Sequence, residues 1–247
     1  MDDLIKPEIV RENRPIGNVQ LLLEDILDRG VNFKYILDVG ANLGEWTRMA
    51  KEVFPDSVIY MIEPLSEMES NLKKICEEFP GTKYFPNGAG SKIENHVMTT
   101  WGDDLAGANC LVVENEYLKS INKQRIIPII TIDSLIEKGE IEIPELAKLD
   151  IQGYELEALK GATKLFGKTE VFILEASLFE FTSGNPILSE VIIFMAEKGY
   201  EIYDLPGFLR RPYDGALAQI DVCFAKRDGI LRASNSWVKI NKDAAVS

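Results

Sequence analysis

Two apolar runs that each end in an acid, the second following about twenty residues after the first, do most to limit what this chain can fold into. Ile36-Leu37-Asp38-Val39 runs into the small-residue turn Gly40-Ala41-Asn42-Leu43-Gly44, and a helical pattern opens at Glu45. Val58-Ile59-Tyr60-Met61-Ile62 then ends in Glu63-Pro64. This is the ground plan of a nucleotide-cofactor site in an open α/β sheet, with the ligand over the carboxyl ends of the strands. A pyrophosphate needs the bare backbone of a G-x-G-x-x-G turn, and here Asn42 stands at the middle glycine. No G-x-x-x-x-G-K-[ST] loop occurs either. A cofactor with a ribose and an amino-acid tail but no phosphate fits this turn, and S-adenosylmethionine (SAM) is the one expected, with S-adenosylhomocysteine as its product. Glu63 would accept from both ribose hydroxyls in one bidentate contact.

The rest of the chain alternates. Ile16, Val19, Leu22, Leu23, Ile26 and Leu27 recur at helical spacing and end at Gly30, which predicts a leading helix. Strands are predicted at Tyr35–Val39, Ser57–Ile62, Lys83–Pro86, Arg125–Thr131, Ala147–Ile151 and Val171–Leu174, with Pro128 favouring a sheet edge. Helices are predicted at Glu45–Val53, Ser66–Glu78, Tyr154–Leu165 and Ile187–Lys198. Asp133 reads as the N-cap of a short helix over Leu135–Lys138. Tyr200–Leu205 and Ala218–Ala225 read as a closing pair of strands around the loop Gly207–Pro212, and Ser91–Asn115 reads as irregular. Such alternation predicts a mostly parallel sheet with helices on both faces. The expected division is a helical extension at 1–32, one α/β domain at 33–227 and an aperiodic tail at 228–247.

A net charge of −13 repels phosphate backbones and anionic membranes, so neither nucleic acid nor a membrane is an expected partner. The basic clusters Lys73-Lys74, Lys119–Arg125 and Arg210-Arg211 are short and read as solvated faces. Cys76, Cys110 and Cys223 are scattered and odd in number, which suits a reducing compartment. The acidic start lacks an apolar signal region, and no run approaches the ~20 apolar residues of a membrane helix. A cytoplasmic protein is expected, and its leading helix offers a surface for a homodimer.

Four segments carry a resemblance to a known family. Leu37-Asp38-Val39-Gly40-Ala41-Asn42-Leu43-Gly44, Ile62-Glu63-Pro64, Ile130-Thr131-Ile132-Asp133-Ser134-Leu135 and Lys148-Leu149-Asp150-Ile151-Gln152-Gly153-Tyr154-Glu155-Leu156-Glu157-Ala158-Leu159-Lys160-Gly161-Ala162 look like the FkbM-type methyltransferases in order and spacing. Gln219-Ile220-Asp221-Val222-Cys223-Phe224 extends the likeness. The resemblance implies a class I, Rossmann-like fold with a seven-stranded sheet and an antiparallel last strand. It implies SAM-dependent O-methylation of a hydroxyl on a small sugar or natural product. By position, Asp38, Gly40, Asn42 and Gly44, with Ala41 in the same turn, would hold the methionine part of SAM. Glu63, followed by Pro64, would hold the ribose, and Asn87-Gly88-Ala89 would lie near the adenine. Asp150 would stand beside the amino group and the reacting centre. The chain departs from the family at Glu175-Ala176-Ser177, where a Glu-x-His is common.

The chemistry also follows from the residues themselves. Methyl transfer from a sulfonium is an in-line displacement, and alignment can supply ~7–11 kcal/mol of the barrier. A sugar hydroxyl needs a base within hydrogen-bond reach. Asp150 and Glu175 end apolar strands at the ligand edge, and Glu155 lies in the first turn of the next helix, where a helix dipole would also favour it. These three are the candidate catalytic carboxylates. His96, the single histidine, reads as a loop residue. No D-x-D or H-x-H spacing points to a metal, and none is expected. Trp46 reads as core, and Phe179-Glu180-Phe181 as a substrate-facing loop. Acceptor contacts are expected from Ser91–Asn115 (with Asp103 and Asp104), Ser177–Pro186 and Gly207–Asp214. A nucleic-acid or amide N-methyltransferase would show [DN]-P-P-[YF] where Asp150-Ile151-Gln152-Gly153 stands. The alternative from another class is a non-catalytic SAM-binding or partner-binding module.

Overall fold

The computed structural model describes residues 14–101, 107–110 and 115–237. In chain order the elements are α1 (Val19–Asp28), β1 (Tyr35–Val39), α2 (Glu45–Val53), β2 (Val58–Ile62), α3 (Glu69–Glu78), β3 (Lys83–Phe85), β4 (Gly88–Ala89), β5 (Glu94–Trp101) and β6 (Gly107–Cys110). There follow α4 (Glu116–Ser120), β7 (Gln124–Ile130), α5 (Ile132–Glu137), β8 (Leu146–Leu149), α6 (Glu155–Lys160), β9 (Val171–Ser177), α7 (Leu188–Glu197), β10 (Tyr200–Arg210) and β11 (Leu217–Lys226).

Seven strands form one sheet in the order β10-β11-β9-β8-β1-β2-β3. β1, β2, β3, β8 and β9 run parallel, and β11 runs antiparallel to both of its neighbours. The expected α/β architecture with a reversed final strand is therefore present. Both faces of the sheet are covered, because the central strands carry apolar residues on both sides. Ile36 and Ile59 join Leu22, Leu23, Ile26, Leu72 and Ile75 in the core under α1 to α3. Leu37, Val39 and Tyr60 join Ala158, Leu159, Val191 and Met195 in the core under α5 to α7. The crossover helices are short, so this two-sided packing and not helix propensity must hold them. Among the described residues no helix is long and apolar enough to cross a membrane.

Several expectations are corrected. Ser91–Asn115 is not wholly irregular: β5 and β6 lie in it and complete a second sheet, β4-β7-β5-β6. β7 is interior to that sheet, although Pro128 favoured an edge. The proline is tolerated because β4 pairs only Ile129 and Ile130, so no ladder bond is lost at its nitrogen. The β10–β11 hairpin reaches Arg210 and Leu217, so the connecting loop lies at 211–216 and not at Gly207–Pro212, and register shifts at Asp204/Gly207 and Leu209/Arg210 accompany the passage through Pro206-Gly207. The predicted helix Tyr154–Leu165 breaks at Gly161 and resumes as a single 3₁₀ turn, Thr163–Leu165. Thr131, not Asp133, caps α5, its hydroxyl oxygen accepting from Ser134 N. Asp133 instead accepts from Thr163 N (2.9 Å), Thr163 Oγ1 (2.6 Å) and Lys164 N (2.9 Å), and so pins that 3₁₀ turn.

Candidate active site

The carboxyl ends of β1, β2, β8 and β9 meet along one edge of the large sheet. At the first two, Gly40 N donates to Ile62 O (2.9 Å), which turns the chain across the end of β2. Gly40 has φ +79°, and a Cβ there would stand 2.0 Å from the backbone oxygen of Asp150. Only glycine allows β1 and the end of β8 to approach so closely. Asn42, at φ +48°, occupies the left-handed region that a short polar side chain tolerates. Ala41 is buried in the same turn, and Gly44, at φ +81°, opens α2.

Glu63 is buried, with Oε2 accepting from Asn42 N and Oε1 from Leu65 N, both at 2.9 Å. Burial raises its pKa, and the two backbone donors partly offset the rise. Each oxygen keeps a second lone pair. Asp38 is fully buried; its Oδ2 accepts from Thr47 Oγ1 (2.7 Å) and its Oδ1 is 3.3 Å from Lys148 Nζ. Lys148 is the cation of this edge. Its ammonium donates to Gly40 O (3.1 Å) and lies 3.6 Å from Asp150 Oδ2. Burial disfavours that charge, but Asp38, Asp150 and Asp221 outweigh it and hold the lysine above its ordinary value.

The ends of β8 and β9 carry the second half of the site. Gln152, held at φ +57°, donates through Nε2 to Asp150 Oδ1 (3.1 Å) and to Glu175 Oε2 (2.9 Å), bridging the two carboxyl groups. Asp221 of β11 pairs across the sheet with Glu175. Asp150, Glu175 and Asp221, with Phe208, Leu209 and Gln219, line a cleft of about 360 Å³. Burial, together with the charges of Asp150, Glu155 and Asp221, pushes Glu175 up to about 9. Burial also raises Asp221, against the opposing pull of Lys148. Glu155 points away from this cleft's chemistry: 2% exposed, it accepts from Ile151 N (2.8 Å) and Gly153 N (3.2 Å) and so holds the turn that carries Gln152. Its burial, only partly offset by those donors, lifts it to about 7.

A carboxyl raised this far makes stability pH-dependent in a stated direction. Below 4.5 Glu175 is protonated whether the chain is folded or not; between 4.5 and about 9 only the folded chain holds the proton. Unfolding is thus favoured progressively as pH rises through that window. Thermal unfolding should show the midpoint of the wild type falling with pH more steeply than that of Glu175→Gln, which keeps the bridge to Gln152. Parallel curves would contradict the assignment.

Other residues singled out from the sequence are distributed more widely. Pro64 follows Glu63 at the site, and Asn87 turns the chain between β3 and β4, its N–H donating to Phe85 O (2.9 Å). Gly88 is buried against Ile129. Trp46 packs against the core and also lines a small cleft with Lys148, Asp150 and Glu175. Phe179 lies under the Arg211 guanidinium, 3.9 Å from its ring centre. His96 is not a loop residue: it lies on β5, its Nε2 3.2 Å from Tyr154 Oη and 3.3 Å from a Glu94 oxygen. Asp103 and Asp104 lie outside the described residues. Among the described residues no group of three His, Cys, Asp or Glu side chains is arranged to hold a metal ion. Sequence reasoning missed Gln152, Lys148 and Asp221, although all three stand inside the segments quoted above.

The family described as Methyltransferase FkbM domain matches residues 38–202, well over half of the chain. The chain is similar to the hexuronic acid methyltransferase AglP of Haloferax volcanii, 26% identical over 157 residues, which are 64% of this chain and 60% of that one. It is also similar to the crystal structure of methyltransferase FkbM from Methylobacillus flagellatus KT, with a TM-score of 0.50 and 18% identity over 76% of this chain and 43% of that one. The chain thus spans less than two thirds of the length of either protein, and the likeness to the solved structure is one of fold.

Proposed function

The chain belongs to the methyltransferase FkbM domain family, and from that premise we propose that it moves a methyl group from SAM to a hydroxyl of a small carbohydrate-like acceptor. The observation that carries this reading is the bridged pair Asp150–Gln152–Glu175 on the same sheet edge as the Gly40 turn and Glu63. The likeness to a hexuronic acid methyltransferase supports a sugar as acceptor.

The donor set fits SAM and does not fit a dinucleotide. Carboxylates dominate the edge, and its buried cation, Lys148, is engaged by Asp38 and Asp150. Such surroundings oppose a pyrophosphate and favour a ligand that carries an ammonium, a sulfonium and a neutral ribose. When bound, SAM supplies an electrophilic methyl group. Glu63 would accept from the ribose hydroxyls through its remaining lone pairs, and Asp38 with the Gly40–Gly44 turn would receive the amino-acid end. Asp150 would accept the proton of the acceptor hydroxyl, and Glu175, held protonated, would donate a hydrogen bond to the acceptor. Gln152 fixes both carboxyl groups, and Glu155 fixes Gln152. Asn87 and Gly88 would border the adenine.

Calorimetric titration with SAM and S-adenosylhomocysteine tests the premise. The wild type should bind both. Glu63→Ala should weaken each by about 10–100-fold, since a hydrogen bond to a charged group contributes roughly 1.5–3 kcal/mol. Glu63→Gln, which keeps a carbonyl for one backbone donor, separates ribose contact from loss of the turn. Failure of the wild type to bind either ligand would leave a Rossmann-like binding module.

A further inference from the structure

Outside the acidic cleft the structure has a second cavity of about 410 Å³, walled by His96 of β5, Tyr154, Leu156 and Lys160 around α6, and Ser183 and Asn185 between β9 and α7. Its size lies within the roughly 300–1,000 Å³ of small-molecule sites. The charges around it are already engaged. Lys160 is paired with Glu157, and Glu190 accepts from Ile187 N (2.9 Å). The lining thus sets two carboxylates, Glu157 and Glu190, against the one ammonium of Lys160, and carries no net positive charge to hold a phosphate or a carboxylate. It offers the hydroxyl of Ser183, the amide of Asn185 and the His96–Tyr154 pair around the apolar surfaces of Leu156 and Pro186. Short polar groups beside apolar patches match a pyranose ring, which has hydroxyls on its edge and C–H groups on its faces.

One residue links the walls of the two cavities by hydrogen bonds. The Gln152 side chain reaches Asp150 and Glu175 in the acidic cleft, while its carbonyl accepts from Asn185 Nδ2 (3.4 Å) in the wall of the second cavity. We propose that the His96–Ser183–Asn185 cavity is a sugar subsite, binding an uncharged pyranose unit joined to the unit that is methylated in the acidic cleft. This rests on the reading of the chain as a methyltransferase of a sugar hydroxyl. The acceptor is then a glycoside of at least two units, and the anionic charge of a uronate is unwelcome in the second.

The single histidine of the chain makes the proposal directly readable. The untagged protein, saturated with S-adenosylhomocysteine, is titrated with the methyl glycosides of four uncharged disaccharides (gluco, galacto, manno and xylo) while the His96 ring signals are followed by NMR. A parallel arm uses a disaccharide whose uronate is confined to the unit that would occupy the second cavity. Ser183→Trp, at an exposed loop position, fills the cavity without touching the acidic cleft. At least one uncharged glycoside should move the His96 signals, and Ser183→Trp should weaken it by about tenfold or more with S-adenosylhomocysteine affinity unchanged. Binding that leaves His96 unmoved, tighter binding of the uronate, or no binding of any glycoside would each overturn the subsite. Loss of S-adenosylhomocysteine binding in the wild type would instead fall on the cofactor reading, and the His96 arm, repeated without it, still decides the subsite.

Discussion

Asp150→Asn is expected to lower the rate of methyl transfer by about 10²–10⁴-fold, the contribution of a positioned general base. The substitution is close to isosteric. Its amide oxygen still accepts from Gln152 Nε2, which now lies 3.1 Å from Asp150 Oδ1, so the bridge to Glu175 survives. What is lost is the ability to take a proton. S-adenosylhomocysteine affinity should therefore change far less than turnover, and the variant's residual rate should not recover at any pH. Glu175→Gln is the informative partner, because a carboxyl already protonated at neutral pH only exchanges its O–H donor for an amide N–H and should keep most of its turnover. An Asp150→Asn variant with near wild-type turnover would move the base elsewhere, with Asp221 the next carboxyl lining the cleft.

Gly40→Ala should cost about 2–5 kcal/mol of stability and abolish S-adenosylhomocysteine binding, because left-handed strain and overpacking add at one position. The added Cβ would lie 2.0 Å from the Asp150 carbonyl oxygen and 3.0 Å from both the Asp150 carbonyl carbon and Ile151 Cγ2. The obstacle is backbone, and β1 and β8 are locked in register by the pairs from Ile36↔Leu146 to Val39↔Leu149. Relief thus requires the end of β8 to move, and Asp150 with it. Gly30→Ala provides the comparison: its φ is also strongly positive, at +84°, but nothing lies within 4 Å of the added Cβ. Urea unfolding of the two variants separates strain from collision. Equal losses would mean that the approach of β1 and β8 is not the constraint.

The parts of this fold that could be read from sequence are those where burial imposes a pattern. Strands buried on both faces appear as continuous apolar runs, and their terminal acids stand out because a carboxylate at the end of such a run is costly unless it is used or paired. Asp38, Glu63, Asp150 and Glu175 were visible for that reason. β5 was not, because Glu94-Asn95-His96-Val97-Met98-Thr99-Thr100 belongs to a small sheet and mixes polar residues into both faces. Its buried threonines are accommodated by partners distant in sequence, as Thr99 is by Gln124. The helix cap was misplaced by two residues because Thr131 and Asp133 both suit that role, and Asp133 has a long-range partner in the 3₁₀ turn. Gln152 left the least trace. A single glutamine in the left-handed region, joining the ends of two strands, is specified by tertiary packing and has no local signature.

If the chain methylates a hydroxyl as proposed, that glutamine bears on which acceptor could be taken. Its Nε2 only donates, so Asp150 and Glu175 must both turn an accepting oxygen towards it. If Glu175 carries a proton, the proton sits on its other oxygen. The cleft then offers an incoming atom one lone pair, from Asp150, and one hydrogen, from Glu175. A group that is satisfied there must give a hydrogen bond and take one at the same centre. An alcohol oxygen does both, whereas an ammonium has no lone pair to offer and a ring ether has no hydrogen. On the proposed reading, the bridge would work as a polarity filter, selecting the nucleophile by its hydrogen-bonding valence before any methyl group moves.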